Sequence, residues 1–139
     1  MTGEQGVLRS VERANQRVRR YLAANLERLE ITEIEAHLLA RLLAKGPLAI
    51  AELQRAFGLR SSTLTNALDR LERRAFLTRE SDPADRRTFT VRLTDGGSDA
   101  AREVIALVDS LEGRLGERVS AQQLEAFLAV IAALEESVT

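Results

Sequence analysis

The feature that most constrains the fold is a short helix, a glycine and a second helix in the middle of the chain. The apolar spacing predicts a helix from Ile50 to Phe57 and another from Ser61 to Ala75, with Gly58 at the sharp turn between them. Three leucines of the second helix recur at helical intervals and share an inward face: Leu64, Leu68 and Leu71. Two helices joined by so tight a turn indicate a helix-turn-helix.

A β-hairpin is predicted directly after this motif. Leu77 to Glu80 and Thr88 to Thr94 are strand-like runs, and the second run alternates apolar and polar residues. The segment from Ser81 to Asp85 contains Pro83 and two aspartates, which are typical of turns. We therefore expect a small hairpin, or wing, beside the second helix.

Further helices flank the motif on both sides. The spacing Thr32-Glu33-Ile34-Glu35 predicts a capped helix start, in which the threonine hydroxyl and the Glu35 carboxylate satisfy the first backbone amides. Gly46-Pro47 ends that helix, and Pro47-Leu48 is a short extended step. One more helix is predicted from Thr94-Asp95 to about Gly113 or Gly116.

The two ends of the chain carry long amphipathic helices. Val7 to Leu29 has a single apolar stripe, and a last helix with an apolar face begins at the capping-box sequence Ser120-Ala121-Gln122-Gln123. Long helices with one apolar stripe outside a compact motif usually pack on a partner. We expect a mainly α fold with a small β-hairpin wing: residues 32–94 form a winged helix-turn-helix, and dimerisation helices over residues 1–31 and 95–139 complete one integrated domain.

Composition excludes several classes of protein. The 139 residues include no cysteine, which removes disulfides, thiolate nucleophiles and cysteine-based zinc sites. No apolar run has the length of a membrane span, and Met1-Thr2-Gly3-Glu4 does not begin a signal peptide. We therefore expect a cytoplasmic protein that has no membrane partner.

The net charge is −1, but the basic and acidic residues are unevenly distributed along the chain. Residues 55–92 contain nine arginines against five acidic residues, whereas the rest of the chain has eleven basic and sixteen acidic residues. A basic segment of this kind is suited to nucleic-acid phosphates. Charge alone is also consistent with an ordinary solvated arginine-rich face.

The second helix of the motif carries the candidate base-reading residues. A helix that enters the major groove needs short hydrogen-bonding side chains and arginine at its start and outer face. Six residues meet this description: Ser61, Ser62, Thr63, Thr65, Asn66 and Arg70. The simpler alternative is that the serines and threonines only cap a surface helix.

The hairpin tip carries the candidate wing residues. Arg86 and Arg87 are placed to enter the adjacent minor groove or to contact the DNA backbone. We expect Asp85 to orient the wing by binding one of these arginines through two hydrogen bonds.

Catalytic and metal sites are not indicated. His37 is the only histidine, and with Glu33 it would form half of a metal site, but zinc needs three or four ligands. A histidine at the edge of the core is the better interpretation. Neither a Ser/His/Asp arrangement nor a glycine-rich phosphate loop is present, so we predict no enzyme activity, no metal and no cofactor.

The motifs resemble those of the MarR family of bacterial regulators over nearly the whole chain. The resemblance rests on Phe57-Gly58-Leu59, Ser62-Thr63-Leu64-Thr65, Leu68-Asp69-Arg70-Leu71-Glu72, Asp82-Pro83-Ala84-Asp85-Arg86-Arg87, and Leu93-Thr94 with Gly97. It implies an obligate homodimer, built from the first and last helices, that binds near-palindromic operators and usually acts as a repressor released by a small molecule. By the same analogy an effector pocket would lie where Tyr21, His37 and the helix from Asp99 meet.

The chain departs from the family pattern at three places. Asn66 stands where arginine is frequent, Ala49 replaces a hydroxyl cap, and Ala75-Phe76 stands where a glycine often ends the recognition helix. The predicted function is a sequence-specific double-stranded DNA-binding transcriptional regulator. The alternative is a winged-helix module for protein contacts without specific DNA binding, since a fold does not fix function.

Overall fold

The computed structural model describes residues 6–139, which form six helices and a small antiparallel sheet. The elements in chain order are α1 (Val7–Glu27), α2 (Glu33–Lys45), β1 (Leu48–Ala49), α3 (Ile50–Phe57), α4 (Ser61–Arg73), β2 (Leu77–Ser81), β3 (Phe89–Leu93), α5 (Asp95–Gly116) and α6 (Ala121–Ser137). This confirms the predicted mainly α class. The chain divides into two compact units, one ending at Ala106 and the other formed by Leu107–Thr139. Within residues 6–139, no helix is both long enough and apolar enough to cross a membrane.

The core of the first unit is formed by leucines of α2, α3 and α4. The side chains that are almost completely buried include Leu38, Leu39, Leu53, Leu64, Leu68 and Leu71. In α4 these positions repeat every three or four residues, so one face of the helix is apolar and the other remains free. Gly58, with φ of 59°, makes the turn between α3 and α4 in the left-handed conformation that glycine adopts without a steric penalty.

The N-terminus of α2 is capped by Thr32, whose hydroxyl accepts a hydrogen bond from the Glu35 amide at 3.2 Å. The second predicted hydrogen bond of this cap, from a backbone amide to the Glu35 carboxylate, is wrong. The Glu35 carboxylate accepts a hydrogen bond from the Thr32 hydroxyl at 2.9 Å, and the side chain of Glu35 is buried.

The sheet has three strands in the order β1-β3-β2, not the two of a simple hairpin. Leu48 of β1 lies opposite Val91 of β3, which in turn pairs with Arg79 of β2. The sequence indicated only an extended step at Pro47-Leu48, because two residues are too few to show the alternation of a strand. The third strand attaches the wing to the helix-turn-helix.

Helix α4 ends at Arg73, two residues earlier than predicted. Ala75 follows the helix with a φ of 60°, a conformation that costs energy for any residue with a Cβ atom. The hydroxyl of Thr94 accepts from the Gly97 amide at 3.0 Å and donates to the Ala75 carbonyl oxygen at 2.6 Å. Thr94 therefore caps α5, as expected, and also binds the end of α4.

The second unit consists of the end of α5 and the whole of α6. The predicted capping box is confirmed, because the Ser120 hydroxyl accepts from the Gln123 amide and the Gln123 side chain accepts from the Ser120 amide. None of the residues of α6 is buried. In the first unit, α1 buries only Leu26. Both helices therefore keep apolar side chains exposed to solvent.

Candidate nucleic-acid interface

The first two turns of α4 present polar side chains without partners. Ser62, Thr65 and Asn66 are exposed, and Thr63 is half-buried. Among residues 6–139 none of these four side chains has a hydrogen-bond partner, whereas Ser61 accepts a hydrogen bond from Gln54 of α3 at 2.8 Å. The cap position is Arg60, which makes no side-chain cap, so the serines and threonines do not serve as the helix cap. They are free to bind another molecule.

Arg70, which the sequence assigned to the same surface, is engaged within the protein. Its Nη2 atom lies 3.4 Å from the Oε1 atom of Glu35, and about half of its side chain is exposed (50%). Arg70 therefore meets α2 with its guanidinium group. The polar side chains that have no partner among the described residues lie in the first two turns of α4.

Arg74 ties the C-terminal end of α4 to the segment between α1 and α2. Its guanidinium donates to the carbonyl oxygens of Leu29 and Glu30 and lies over the Phe76 ring, 4.6 Å from the centroid. Sequence analysis did not assign this role, because backbone carbonyl acceptors leave no side-chain signal in the sequence.

Arg79 of β2 ties the other side of α4 to the wing. Its Nη2 atom donates to Asp69 at 2.6 Å and to Glu72 at 2.9 Å. The hydrogen bond from Arg79 holds the pKa of Glu72 below its ordinary value, and the same bond raises the pKa of Arg79. Sequence analysis missed this contact, although Asp69 and Glu72 are three residues apart and so share one helix face.

The wing tip is shaped by aspartates and leaves its arginine side chains exposed. Asp85 accepts from the Arg87 amide at 3.0 Å and from the Thr88 hydroxyl at 3.3 Å. The Arg87 Nε atom is 3.9 Å from Asp85, so the expected pair of hydrogen bonds to an arginine side chain is wrong. The Arg87 side chain is 97% exposed, and Arg86 is also exposed. Asp85 thus organises the backbone of the tip, from which both guanidinium groups extend.

The predicted effector residues lie outside the cavities seen near the wing. A cavity of about 350 Å³ is lined by Ile50, Glu72, Arg79 and Phe89, and another of about 250 Å³ lies between α2, β3 and the start of α5. His37 is not at the core edge: its side chain is 63% exposed and lies 3.8 Å from Glu33. In the described part of the chain, no three His, Cys, Asp or Glu residues form a group suited to a metal ion.

Comparison with known proteins shows a similarity to the MarR family. The MarR family model matches residues 31–89, which contain the complete helix-turn-helix and most of the wing. An uncharacterized HTH-type transcriptional regulator of Bacillus subtilis, YwhA, is 29% identical over 106 residues, which is 76% of each chain. Over the segment that the family model matches, the helix-turn-helix and wing of this chain are similar to the MarR family. The winged helix-turn-helix of this chain is thus the fold that the sequence predicted.

Solved structures of MepR and MarR agree in fold with this one. A Staphylococcus aureus MepR-DNA complex superimposes with a TM-score of 0.85 at 22% identity and covers 95% of this chain and 98% of that one. A mutant MarR from E. coli, complexed with operator DNA, has a TM-score of 0.78 at 25% identity, with 91% of each chain covered. The start of α4 and the wing tip of this chain therefore belong to a fold that has been seen on DNA in other proteins.

Proposed function

We propose that this protein is a homodimeric, sequence-specific double-stranded DNA-binding transcriptional regulator. The observation that carries the proposal is the set of unpartnered polar side chains at the start of α4, together with the two exposed arginines of the wing tip. The first two turns of α4 have no acidic side chain, so the helix dipole and its free amides attract phosphate.

The side chains divide between base reading and backbone contact. Ser62, Thr63, Thr65 and Asn66 address the major groove, where the amide of Asn66 is suited to adenine. Ser61 is fixed by Gln54 and contacts phosphate at the helix start. Arg86 and Arg87 enter the minor groove or clamp the backbone, and Asp85 keeps the wing tip in the shape that presents them.

A second copy of the chain completes the regulator. A helix in which no residue is fully buried, such as α6, gains most of its stability when another surface covers its apolar side. Two copies related by a two-fold axis would place their recognition helices about 34 Å apart, one turn of DNA. The operator is then an inverted repeat whose half-sites are one turn apart.

Regulation by a small molecule extends the proposal. We place this regulator in the cytoplasm, and we propose that it acts as a repressor whose effector binds near Tyr21, His37 and the helix beyond Asp99. A thermal shift screen of the wild type, with Tyr21→Ala as the control, tests the effector site. The effector site would be contradicted if no compound raised the melting temperature of the wild type by more than it raised that of Tyr21→Ala.

The salt dependence of DNA binding tests the central proposal. Wild type and Arg87→Gln are titrated against duplexes that the wild type selects from a randomised pool. Each phosphate contact contributes about 0.9 to the slope of log affinity against log salt, so losing one in each of two subunits lowers the slope by about 1.8. Arg102→Gln is the matched control, because Arg102 is an exposed arginine that pairs with Asp99 on α5. Weak binding with a shallow slope in all three proteins would favour a module for protein contacts.

A further inference from the structure

Glu35 is the only charged residue that is buried within residues 6–139, at 1% exposure. It lies in the first turn of α2, where the helix dipole favours an acid. Its Oε1 atom accepts from the Thr32 hydroxyl and is 3.4 Å from Arg70, while Oε2 has no partner among the described residues. A carboxylate buried in this way depends on its one cation, because removing either partner leaves an uncompensated charge.

The cation belongs to α4, and it does not act alone. Arg74, one turn further along the same helix face, donates to the carbonyl oxygens of Leu29 and Glu30. Two arginines one turn apart therefore fasten the C-terminal half of α4 to α2 and to the segment that precedes it. In the N-terminal half only Ser61 is held in this way, by Gln54, and the side chains of Ser62, Thr63, Thr65 and Asn66 have no partner among the described residues.

We propose that Glu35 is a positioning residue that sets the orientation of the recognition helix through Arg70. Arg70 then contacts neither bases nor phosphate, although the sequence placed it among the candidates for base reading. Only side chains in the first two turns of α4 then read bases. Glu35 fixes the depth and the angle at which these turns enter the major groove. This inference rests on the proposed DNA binding of α4.

Binding of the selected duplex by Glu35→Gln, Arg70→Gln and the double variant is the first measurement. Each single variant should bind the selected duplex about tenfold more weakly, as for the loss of one base contact, and keep the affinity for unrelated DNA. The salt slope should not change, because no phosphate contact is lost. The double variant should bind the selected duplex no more weakly than either single variant does, because the same interaction is removed in all three proteins.

Arg73→Gln is the matched control. It removes the same charge from α4 at an exposed position and leaves Glu35 untouched. Arg70→Gln leaves the Glu35 carboxylate unpaired, so it is the variant most at risk of misfolding. Glu35→Gln and the double variant bury no charge and decide the matter if Arg70→Gln does not fold.

Hydrogen exchange without DNA is the second measurement. In Glu35→Gln the backbone amides of residues 61–73 should exchange faster than in the wild type, and those of residues 50–57 should not change. The proposal is overturned if Glu35→Gln keeps both this exchange and the duplex affinity within about twofold of the wild type. It is also overturned if Arg70→Gln lowers the salt slope by about 1.8, as a phosphate ligand would. If the wild type binds no duplex, the proposed function fails, and exchange alone decides whether Glu35 positions α4.

Discussion

Gly97 shows most sharply how a single residue determines the path of the chain. A Cβ atom at this position would lie 1.7 Å from the carbonyl oxygen of Phe76, which also accepts a hydrogen bond from the Thr94 amide. Because the obstacle is backbone, no side chain can move aside. We expect Gly97→Ala to lower the free energy of unfolding by at least about 3 kcal/mol in urea titrations.

Gly96 provides the matched control for this prediction. It is the neighbouring residue in the same helix turn, and its nearest obstacle to a Cβ atom is 3.8 Å away. Gly96→Ala should stabilise the protein by up to about 1 kcal/mol, since alanine favours a helix more than glycine does. Equal effects of the two substitutions would contradict the steric explanation.

Ala75 offers a stabilising substitution at the end of the recognition helix. Its φ of 60° lies in the left-handed region, which costs an alanine about 1–2 kcal/mol and a glycine almost nothing. Glycine loses part of this gain through the entropy of the unfolded chain. We expect Ala75→Gly to raise the free energy of unfolding by about 0.5–1 kcal/mol.

The control for Ala75→Gly is the same substitution inside a helix. Ala56 is exposed in α3, and Ala56→Gly should cost up to about 1 kcal/mol. Opposite signs for the two substitutions would confirm that backbone conformation decides the effect. A loss of stability in Ala75→Gly would show that another contact fixes this residue.

At the scale of elements, the sequence predicted the helices better than the contacts between them. The helix starts at Thr32, Thr94 and Ser120 were predictable because capping is local. The inward leucines of α4 were predictable from their period. The third strand was missed because two residues carry no period, and it forms only when Leu48 meets Val91.

The candidate site was predicted in part for the same reason. The polar start of α4 and the exposed wing arginines follow from position along an element. The partners of Arg70 and Arg79 are distant in sequence or belong to another element. A single sequence does not distinguish an arginine that faces DNA from one that pairs with a carboxylate inside the protein.

The contact between α4 and β2 through Arg79 predicts a pH dependence of stability. The pKa of Glu72 is lowered from 4.5, chiefly by its hydrogen bond with Arg79. The stabilisation is therefore complete above pH 4.5 and is lost as the pH falls through the lower pKa of the folded state. Since Glu72 is partly exposed, Glu72→Gln should cost only about 1 kcal/mol or less at neutral pH.

Below the folded-state pKa of Glu72, the difference between wild type and Glu72→Gln should disappear, because the protonated acid resembles the amide. Urea titrations from neutral to acid pH measure it. Glu80→Gln on β2 is the control: its carboxylate is 4.0 Å from Arg92 and exposed, so the effect should stay within about 0.5 kcal/mol. A constant difference at all pH values would mean that Glu72 acts through its shape and not its charge.

At the scale of the whole molecule, the apolar faces of the terminal helices predict the oligomeric state. Phe127 of α6 is 55% exposed, and no residue of that helix is buried. If a second copy covers this face, Phe127→Glu removes an apolar group twice per dimer. At about 1.5–3 kcal/mol for each phenylalanine, the dimer should weaken by at least about 100-fold, which sedimentation velocity measures.

A glutamate introduced on the opposite face of α6 is the control that distinguishes a loss of dimerisation from a general loss of stability. Ala129 is exposed and lies two residues from Phe127, about 200° around the helix. Ala129→Glu should remain a dimer and bind the selected duplex like the wild type. Phe127→Glu should bind the inverted repeat and a single half-site about equally weakly, because each subunit then binds without the effective concentration that its partner provides. A Phe127→Glu protein that stays dimeric would mean that α6 does not form the interface.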